Sequence, residues 1–256
     1  MTVQAETGLT TPYRVRFDES GPDGRLPASG FLRYAQDMAW RHSTAGGFDR
    51  EWYASRGFAW LIRAVELDVV GSVEHGQEIH VSTEVLGFRR AWARRRSEFR
   101  GGPEERPLAV ALIDWVLLNT AGRPVRAPAD ILQGFPGLAE GTFSPLRVPL
   151  PPAPGDALRS AFRVRRSELD PLAHVNNAAY LDYVDEQLDL AGVTGRAAPL
   201  PRRYRVEYVA PARAREQLAA STWPAETAWC LRLQSADGQE VLRARVETDP
   251  GDWVGG

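Results

Sequence analysis

The sequence predicts an α+β fold of two similar units, each an antiparallel sheet that covers one helix. The first observation is an internal repeat, because FLRYAQD (residues 31–37) resembles YLDYVDE (180–186) 149 positions later. The second is that segments with strand alternation follow each copy. The third is a proline-rich stretch between the copies. These features together predict a duplicated unit.

Each copy of the repeat has the apolar spacing of an amphipathic helix. The apolar side chains recur at i, i+3 and i+7, so they share one face. Each helix follows a turn rich in Gly, Pro or Asn. We therefore expect one buried helix in each unit. The stripe residues are Leu32, Ala35 and Met38 or Ala39 in the first copy and Leu181, Val184 and Leu188 in the second.

The segments after each helix alternate as strands do. EIHVSTEVL (78–86) alternates strictly between apolar or Thr positions and polar ones. Asp237-Gly238 is a favoured turn pair for a hairpin near the end of the chain. Further strands are predicted at FAWLIRAVELDVV, RAWARRRSEF and LAVALIDWVLLN in the first half, and at RRYRVEYVA, EQLAASTW, TAWCLRLQ and QEVLRARVET in the second.

The proline-rich stretch FSPLRVPLPPAPGDALR (143–159) is predicted to be a linker. It holds five of the 19 prolines, which remove backbone donors and break helices. The predicted organisation is a first unit at 12–142, the linker at 143–159 and a second unit at 160–250.

Composition excludes several classes of protein. The chain has 31 basic and 33 acidic residues, so it lacks the basic character that is typical of nucleic-acid binding. Cys230 is the single cysteine, which excludes an intrachain disulfide and favours a reducing compartment. The N-terminal segment lacks the pattern of a leader, and no apolar run is long enough to span a membrane. We therefore expect a cytoplasmic protein.

No cofactor or metal is expected. The four His and the one Cys do not have the spacing of metal ligands. No Gly-rich phosphate loop follows a predicted strand.

The stretch ELDPLAHVNNAAYLDYVDEQL (168–188) carries the strongest chemical signal. Asp170 and His174 lie four positions apart just before the second helix. A carboxylate and an imidazole can activate a nucleophile and protonate a leaving group. Asn176 and Asn177 stand at the expected helix start, where free N–H groups can bind an oxyanion and Asn is a favourable cap.

The first copy lacks this pair. At the equivalent positions it has Gly21 and Arg25. We therefore expect only the second unit to carry the chemistry.

One helix that is wrapped by a sheet and entered through LDPLAHVNNAAYLDY resembles the hotdog fold of thioesterases. The tandem form resembles acyl-acyl-carrier-protein (acyl-ACP) thioesterases of plants and bacteria over about residues 12–248, with DGRLPASGFLRYAQDMAWRH, RGFAWLIRAVELDV and DWVLLNTAGRPVRAP carrying the likeness in the first half. The resemblance implies a double hotdog whose two sheets pair into one. It also implies hydrolysis of acyl-ACP, or of acyl-CoA, to a free fatty acid, which ends fatty acid synthesis.

The resemblance assigns roles by position. Asp170 matches the family's base or nucleophile, His174 its orienting or proton-transfer group, and Glu207 in YRVEYVAPAR its water-positioning acid. Leu172 stands where the family motif has Asn. From the residues alone, a salt-bridged structural Glu207 is an equally good interpretation, because Arg residues share its strand face.

Two further sets of side chains are candidates. The first unit is expected to supply an acyl-chain pocket, and its candidate lining residues, which also suit a plain core, are Trp40, Phe58, Trp60 and Trp92. An Arg-rich segment beside Glu207 could attract the acidic surface of a carrier protein or the phosphates of coenzyme A. Its members are Arg202, Arg203 and Arg205.

Two other functions stay open. A hydratase or dehydratase of the hotdog fold also combines an acid with His, although the hydratase motif has His five positions after Asp instead of four. A non-catalytic acyl-thioester-binding protein is the other alternative, because Leu172 departs from the motif. Both a monomer and a homodimer are compatible with a tandem unit.

Overall fold

The structure is a computed structural model that describes residues 8–102, 104–135, 143–193 and 200–248. Within these ranges, ten strands form one antiparallel sheet in the order β1-β3-β4-β5-β2-β7-β10-β9-β8-β6. The first-half strands are β1 (Gly8–Arg14), β2 (Phe58–Val69), β3 (Glu78–Arg89), β4 (Trp92–Gly101) and β5 (Arg106–Asn119). The second-half strands are β6 (Leu158–Arg163), β7 (Arg202–Tyr208), β8 (Gln217–Ala225), β9 (Ala228–Ser235) and β10 (Glu240–Glu247).

Two central helices, α1 (Ala28–Ala45) and α4 (Ala179–Leu190), pack on one face of this sheet. The predicted apolar stripes of both helices are buried, since Leu32, Ala35, Leu181 and Val184 are each 0% exposed. The sequence did not predict the two short helices of the first half, α2 (Arg50–Arg56) and α3 (Ala129–Gly134). The architecture of two sheets that each wrap a helix and pair into one is confirmed.

The two halves join through β2 and β7, which pair in an antiparallel register. Ion pairs cross this junction. In the buried pair, Arg203 binds Asp68 through two N–O contacts of 2.6 and 2.8 Å. Arg205 binds Glu66 at 2.6 Å. The junction is therefore held by charge as well as by the strand ladder.

The helices preserve the repeat in three dimensions. Arg33 and Asp182, which the 149-residue offset makes equivalent, meet at 2.9 Å where α1 contacts α4. A second equivalence follows from the same offset. Tyr34 donates to Glu19 at 2.6 Å, and Tyr183 donates to Glu168 at the same distance. The halves are thus related by an approximate two-fold axis that passes between the helices.

The Pro-rich linker has no helix or strand over residues 143–157 and runs along the sheet face that points away from the helices. The backbone N–H of Leu146 donates to Asp114 at 2.6 Å, and that of Val148 donates to Glu207 at 3.1 Å. Further along, Leu150 and Ala153 pack against buried side chains of β8 and β9. The linker therefore covers the outer face of the second half.

A tight turn between β3 and β4 explains one local departure from the sequence prediction. RAWARRRSEF was expected to form one strand, but Arg90 has φ 56° and β4 begins at Trp92. The predicted Asp237-Gly238 turn lies where expected, between β9 and β10, and Gly238 has φ 82°. In the described ranges, no helix is long and apolar enough to cross a membrane.

Candidate active site

A tight turn before α4 holds the carboxylate of Asp170. Its Oδ1 accepts the backbone N–H of Leu172 at 2.8 Å and that of His174 at 3.3 Å. The backbone N–H of Asp170 in turn donates to the His174 carbonyl at 2.8 Å. The second oxygen, Oδ2, accepts from no group in the described part of the chain. One oxygen is therefore fixed and the other is left for substrate or water.

The same turn occurs in the first half with different side chains. There the N–H of Gly21 donates to the Arg25 carbonyl at 2.8 Å, and Gly24 takes the left-handed conformation with φ 76°. In the second half the equivalent left-handed position is Ala173, with φ 61°. A side chain other than Gly at this conformation costs energy, and such strain is concentrated at functional sites.

The start of α4 is organised by Asn176 and Tyr208. Asn176 Oδ1 accepts the N–H of Ala178 at 2.9 Å, in a turn that precedes the helix. The N-cap position of α4 is Ala178 and no side chain caps it, so the expectation that Asn caps this helix is corrected. The Tyr208 hydroxyl donates to the Asn177 carbonyl at 2.9 Å, and burial raises the pKa of Tyr208, so it stays a donor. The N–H of Asn177 has no acceptor among the described residues.

A cavity of about 910 Å³ lies between the two halves and brings these groups to an apolar pocket. Asp170, Asn176 and Asn177 line it from the second half. The first half supplies most of the remaining wall from α1, α2, α3 and strands β2 to β5. Its main apolar side chains there are Trp40, Tyr53, Phe58, Trp60, Ile62, Val85, Phe88, Trp115, Ile131 and Phe135.

Three of the four predicted pocket aromatics, Trp40, Phe58 and Trp60, line this cavity. Trp92 does not. Alternate strand residues face opposite sides of the sheet, and on β4 it is Ala93 and Arg95 that line the cavity. Trp92 therefore lies on the outer face, and the expectation for this residue is corrected.

His174 and Glu207 are not brought to Asp170 as side chains. Neither residue lines the cavity, and the His174 imidazole makes no hydrogen bond in the described ranges. Its contact with Asp170 is through the backbone N–H. Glu207 points to the outer face, where it binds Arg147 at 2.7 Å and the N–H of Val148.

The three candidate docking arginines of β7 are engaged within the protein. Arg202 is 3% exposed and Arg203 is 7% exposed. Arg202 donates to Tyr204 at 2.9 Å and lies 3.7 Å from Asp185. Arg203 and Arg205 form the junction pairs with β2. Because their charges are already paired, they leave little free positive surface for a carrier.

Several lining residues were not among the sequence candidates. Tyr53 on α2, Phe88 on β3, Trp115 on β5 and Arg95 on β4 all contribute to the wall. Arg95 could have been found, because Ala93, Ser97 and Phe99 share its parity and give β4 one buried face. No comparable sequence pattern indicated that Tyr53 on α2 would line the cavity.

The fold and the cavity define a double hotdog protein with a carboxylate beside an acyl-sized apolar pocket. Residues 7–135 match the family model described as the acyl-ACP thioesterase N-terminal domain, and residues 153–248 match the one described as the acyl-ACP thioesterase C-terminal domain. The chain therefore belongs to the acyl-ACP thioesterase family, whose members are thioester hydrolases.

Solved structures share the complete fold. A putative oleoyl thioesterase from Lactobacillus plantarum is similar with a TM-score of 0.81 at 18% identity, over 95% of this chain and 97% of that one. A 12:0-ACP thioesterase from Umbellularia californica has a TM-score of 0.75 at 20% identity, over 94% and 97%. An uncharacterised protein of Mycobacterium tuberculosis is 24% identical over 211 residues, which cover 82% of this chain and 80% of that protein.

Proposed function

We propose that this enzyme releases free fatty acids from acyl-ACP, and that Asp170 starts the reaction by activating water at the start of α4. The observation that carries the proposal is the composite cavity. It joins the Oδ2 of Asp170 and the N–H of Asn177, neither of which is paired with a described residue, to an apolar pocket in the other half.

The chemistry follows from these groups. Asp170 accepts a proton from water as the water oxygen attacks the thioester carbonyl. The N–H of Asn177, at the positive end of α4, stabilises the oxyanion that forms. The C–S bond then breaks, and the thiolate takes the proton that Asp170 holds. The products are one carboxylic acid and one thiol.

The turn geometry supports this role despite the motif departure at Leu172. The N–H of Leu172 fixes Asp170 at 2.8 Å, and a backbone donor does not depend on the side chain that follows it. His174 likewise supports Asp170 through its backbone. We therefore assign His174 a positioning role and leave the proton transfers to Asp170.

The mouth of the cavity fits a carrier protein better than β7 does. Arg50 on α2 lines the cavity, is exposed and forms no ion pair with a described residue, whereas the exposed Arg33 on α1 is paired with Asp182. Positive groups around an opening attract an acidic partner and raise its rate of association. We propose that the acyl carrier docks here, with its thioester next to Asp170.

Product analysis tests the activity. Purified enzyme is incubated with acyl-ACP and acyl-CoA of matched chain lengths, and free thiol and free acid are both quantified. The proposal predicts equimolar thiol and acid, with a higher kcat/KM on the carrier protein. An enoyl thioester provides the second arm: hydration without thiol release would show a hydratase, and binding without any product would show an acyl-binding protein.

A further inference from the structure

The cavity has a mouth and an interior. Trp40 and Leu172 are 46% and 48% exposed, so they mark the mouth, on the same side as Asp170. The interior wall consists of lining residues that are no more than 8% exposed. They are Ala39, Ser43, Tyr53, Ile62, Val85, Phe88, Ala93, Arg95, Ile131 and Phe135.

Arg95 is the cation of this interior wall. Its Nη1 donates to His42 Nδ1 at 2.8 Å and to Thr83 Oγ1 at 3.2 Å, which uses both of its protons. Ser97 also donates to Thr83 Oγ1 at 3.2 Å, so a network of hydrogen bonds fixes the position of Nη1. These partners are neutral, because His42 must be unprotonated at Nδ1 to accept from a guanidinium.

The other edge of the guanidinium faces the cavity. Nε and Nη2 donate to no residue in the described ranges, and they are not among the unpaired atoms that the protein seals from solvent. Because Arg95 lines the cavity and is otherwise buried, their open side is the cavity. They provide three N–H donors, two of which lie parallel along one edge.

No carboxylate of the described chain forms an ion pair with Arg95, in contrast to Arg94 on the outer face of the same strand, which binds Asp114. Burial lowers the pKa of Arg95 to about 10, so it still carries its charge near neutral pH. A buried charge without a counter-ion is costly, and proteins normally pair it. An apolar fatty-acyl chain offers no group that would offset this desolvation cost.

We propose that the Nε and Nη2 edge of Arg95 binds a carboxylate at the far end of the acyl chain. The preferred substrates are then thioesters of dicarboxylic acids, with the thioester at Asp170 and the free carboxylate at Arg95. The Nε and Nη2 edge matches a carboxylate with two parallel hydrogen bonds, which a hydroxyl or keto group cannot make. This inference deepens the proposed function and rests on it.

The experiment compares pairs of substrates on the same carrier that differ only at the far end of the chain. Each pair is a fatty-acyl thioester and the mono-thioester of the dicarboxylic acid of equal length, over a series of lengths. We expect kcat/KM for the dicarboxylic member to be higher by about tenfold or more at the best length. The substitution R95M should reverse the preference, because it replaces the cation by an apolar side chain of similar length.

Arg96→Met is the matched control, since Arg96 lies on the same strand but does not line the cavity. It should keep the wild-type preference. If R95M does not fold, the preference of the wild type still decides the question, and R95K keeps the charge while it loses the two-bond fit. A wild type that prefers plain fatty-acyl thioesters at every length would overturn the inference.

Calorimetric binding of the free diacids and fatty acids separates this inference from the proposed function. If no thioester is hydrolysed but the wild type binds diacids more tightly than R95M does, the function fails and the Arg95 site stands. If hydrolysis occurs and R95M leaves the preference unchanged, the function stands and the Arg95 site is wrong.

Discussion

Asp114 and Glu207 lie on opposite neighbours of β2, both opposite Ala64, and each accepts a backbone N–H of the linker. Asp114 is 0% exposed and Glu207 is 3% exposed. The pair therefore clamps residues 146–148 across the junction of the two halves. This contact accounts for the two buried carboxylates on the outer face without invoking chemistry at Glu207.

Removal of the Glu207 carboxylate should affect stability more than turnover. We expect Glu207→Ala to lower the free energy of unfolding by about 1–3 kcal/mol, because the buried N–H of Val148 loses its acceptor. The kcat of the folded enzyme should stay within a few-fold of wild type. Chemical denaturation and steady-state kinetics measure both, and Asp114→Ala is the matched control with the same expected pattern. A folded Glu207→Gln enzyme without turnover would instead assign Glu207 to the chemistry.

The left-handed Ala173 gives a test of the active-site turn. Ala173→Gly should raise the free energy of unfolding by up to about 1 kcal/mol, because Gly adopts positive φ without the penalty that Ala pays. Turnover should be retained, since the bonds to Asp170 come from its neighbours. Ala161→Gly in β6 is the control and should be destabilising by about 0.5–1 kcal/mol, because its strand conformation suits Ala. A change of the same sign in the free energy of unfolding for both variants would contradict the left-handed geometry of Ala173.

The reactivity of the Cys230 thiol tests whether the linker covers the outer face of the sheet. Its side chain is 0% exposed, and burial raises the pKa of the thiol, which lowers the thiolate fraction at mildly alkaline pH. We expect almost no reaction with a thiol reagent in the native enzyme and complete reaction after unfolding. Leu150→Ala should speed native labelling, because Leu150 packs on the cluster that covers Cys230. Fast labelling of the native wild type would show that the linker does not cover this face.

Arg50 tests the carrier-docking site. Arg50→Glu should raise KM for acyl-ACP several-fold, with a stronger effect at low salt, because the substitution inverts a charge at the cavity mouth. A small acyl thioester without a carrier should react unchanged. Arg163→Glu, at an exposed strand end away from the cavity, makes the same change in charge and should have no effect. An equal rise in KM for both variants would show that the net charge of the protein, and not a docking site at Arg50, determines the effect.

The elements were largely predictable, because helix and strand periods are local properties. The stripe of Leu181, Val184 and Leu188 and the alternation in 78–86 both correspond to observed elements. The site was predictable only in part. The placement of Asp170, Asn176 and Asn177 at a helix start followed from the motif, whereas Trp92 was selected by residue type without regard to strand parity.

The remaining contacts depend on the path of the chain in space. The Glu207 bond to Val148 joins residues 59 positions apart, and a Pro-rich linker has no period that would reveal where it lies. The orientation of the Arg95 guanidinium likewise depends on contacts between different elements. His42 on α1 and Thr83 on β3 both bind this side chain of β4. Contacts of this kind become visible only in the folded structure.

The role of Asp170 is tested most directly by single-turnover release of thiol from acyl-ACP by wild type and Asp170→Asn, with acyl-ACP binding and the free energy of unfolding measured on both. We expect the variant to bind acyl-ACP and to keep its stability, but to lose turnover by at least about a hundredfold. Turnover by the variant close to the wild-type rate would contradict the assignment of Asp170 as the group that activates water.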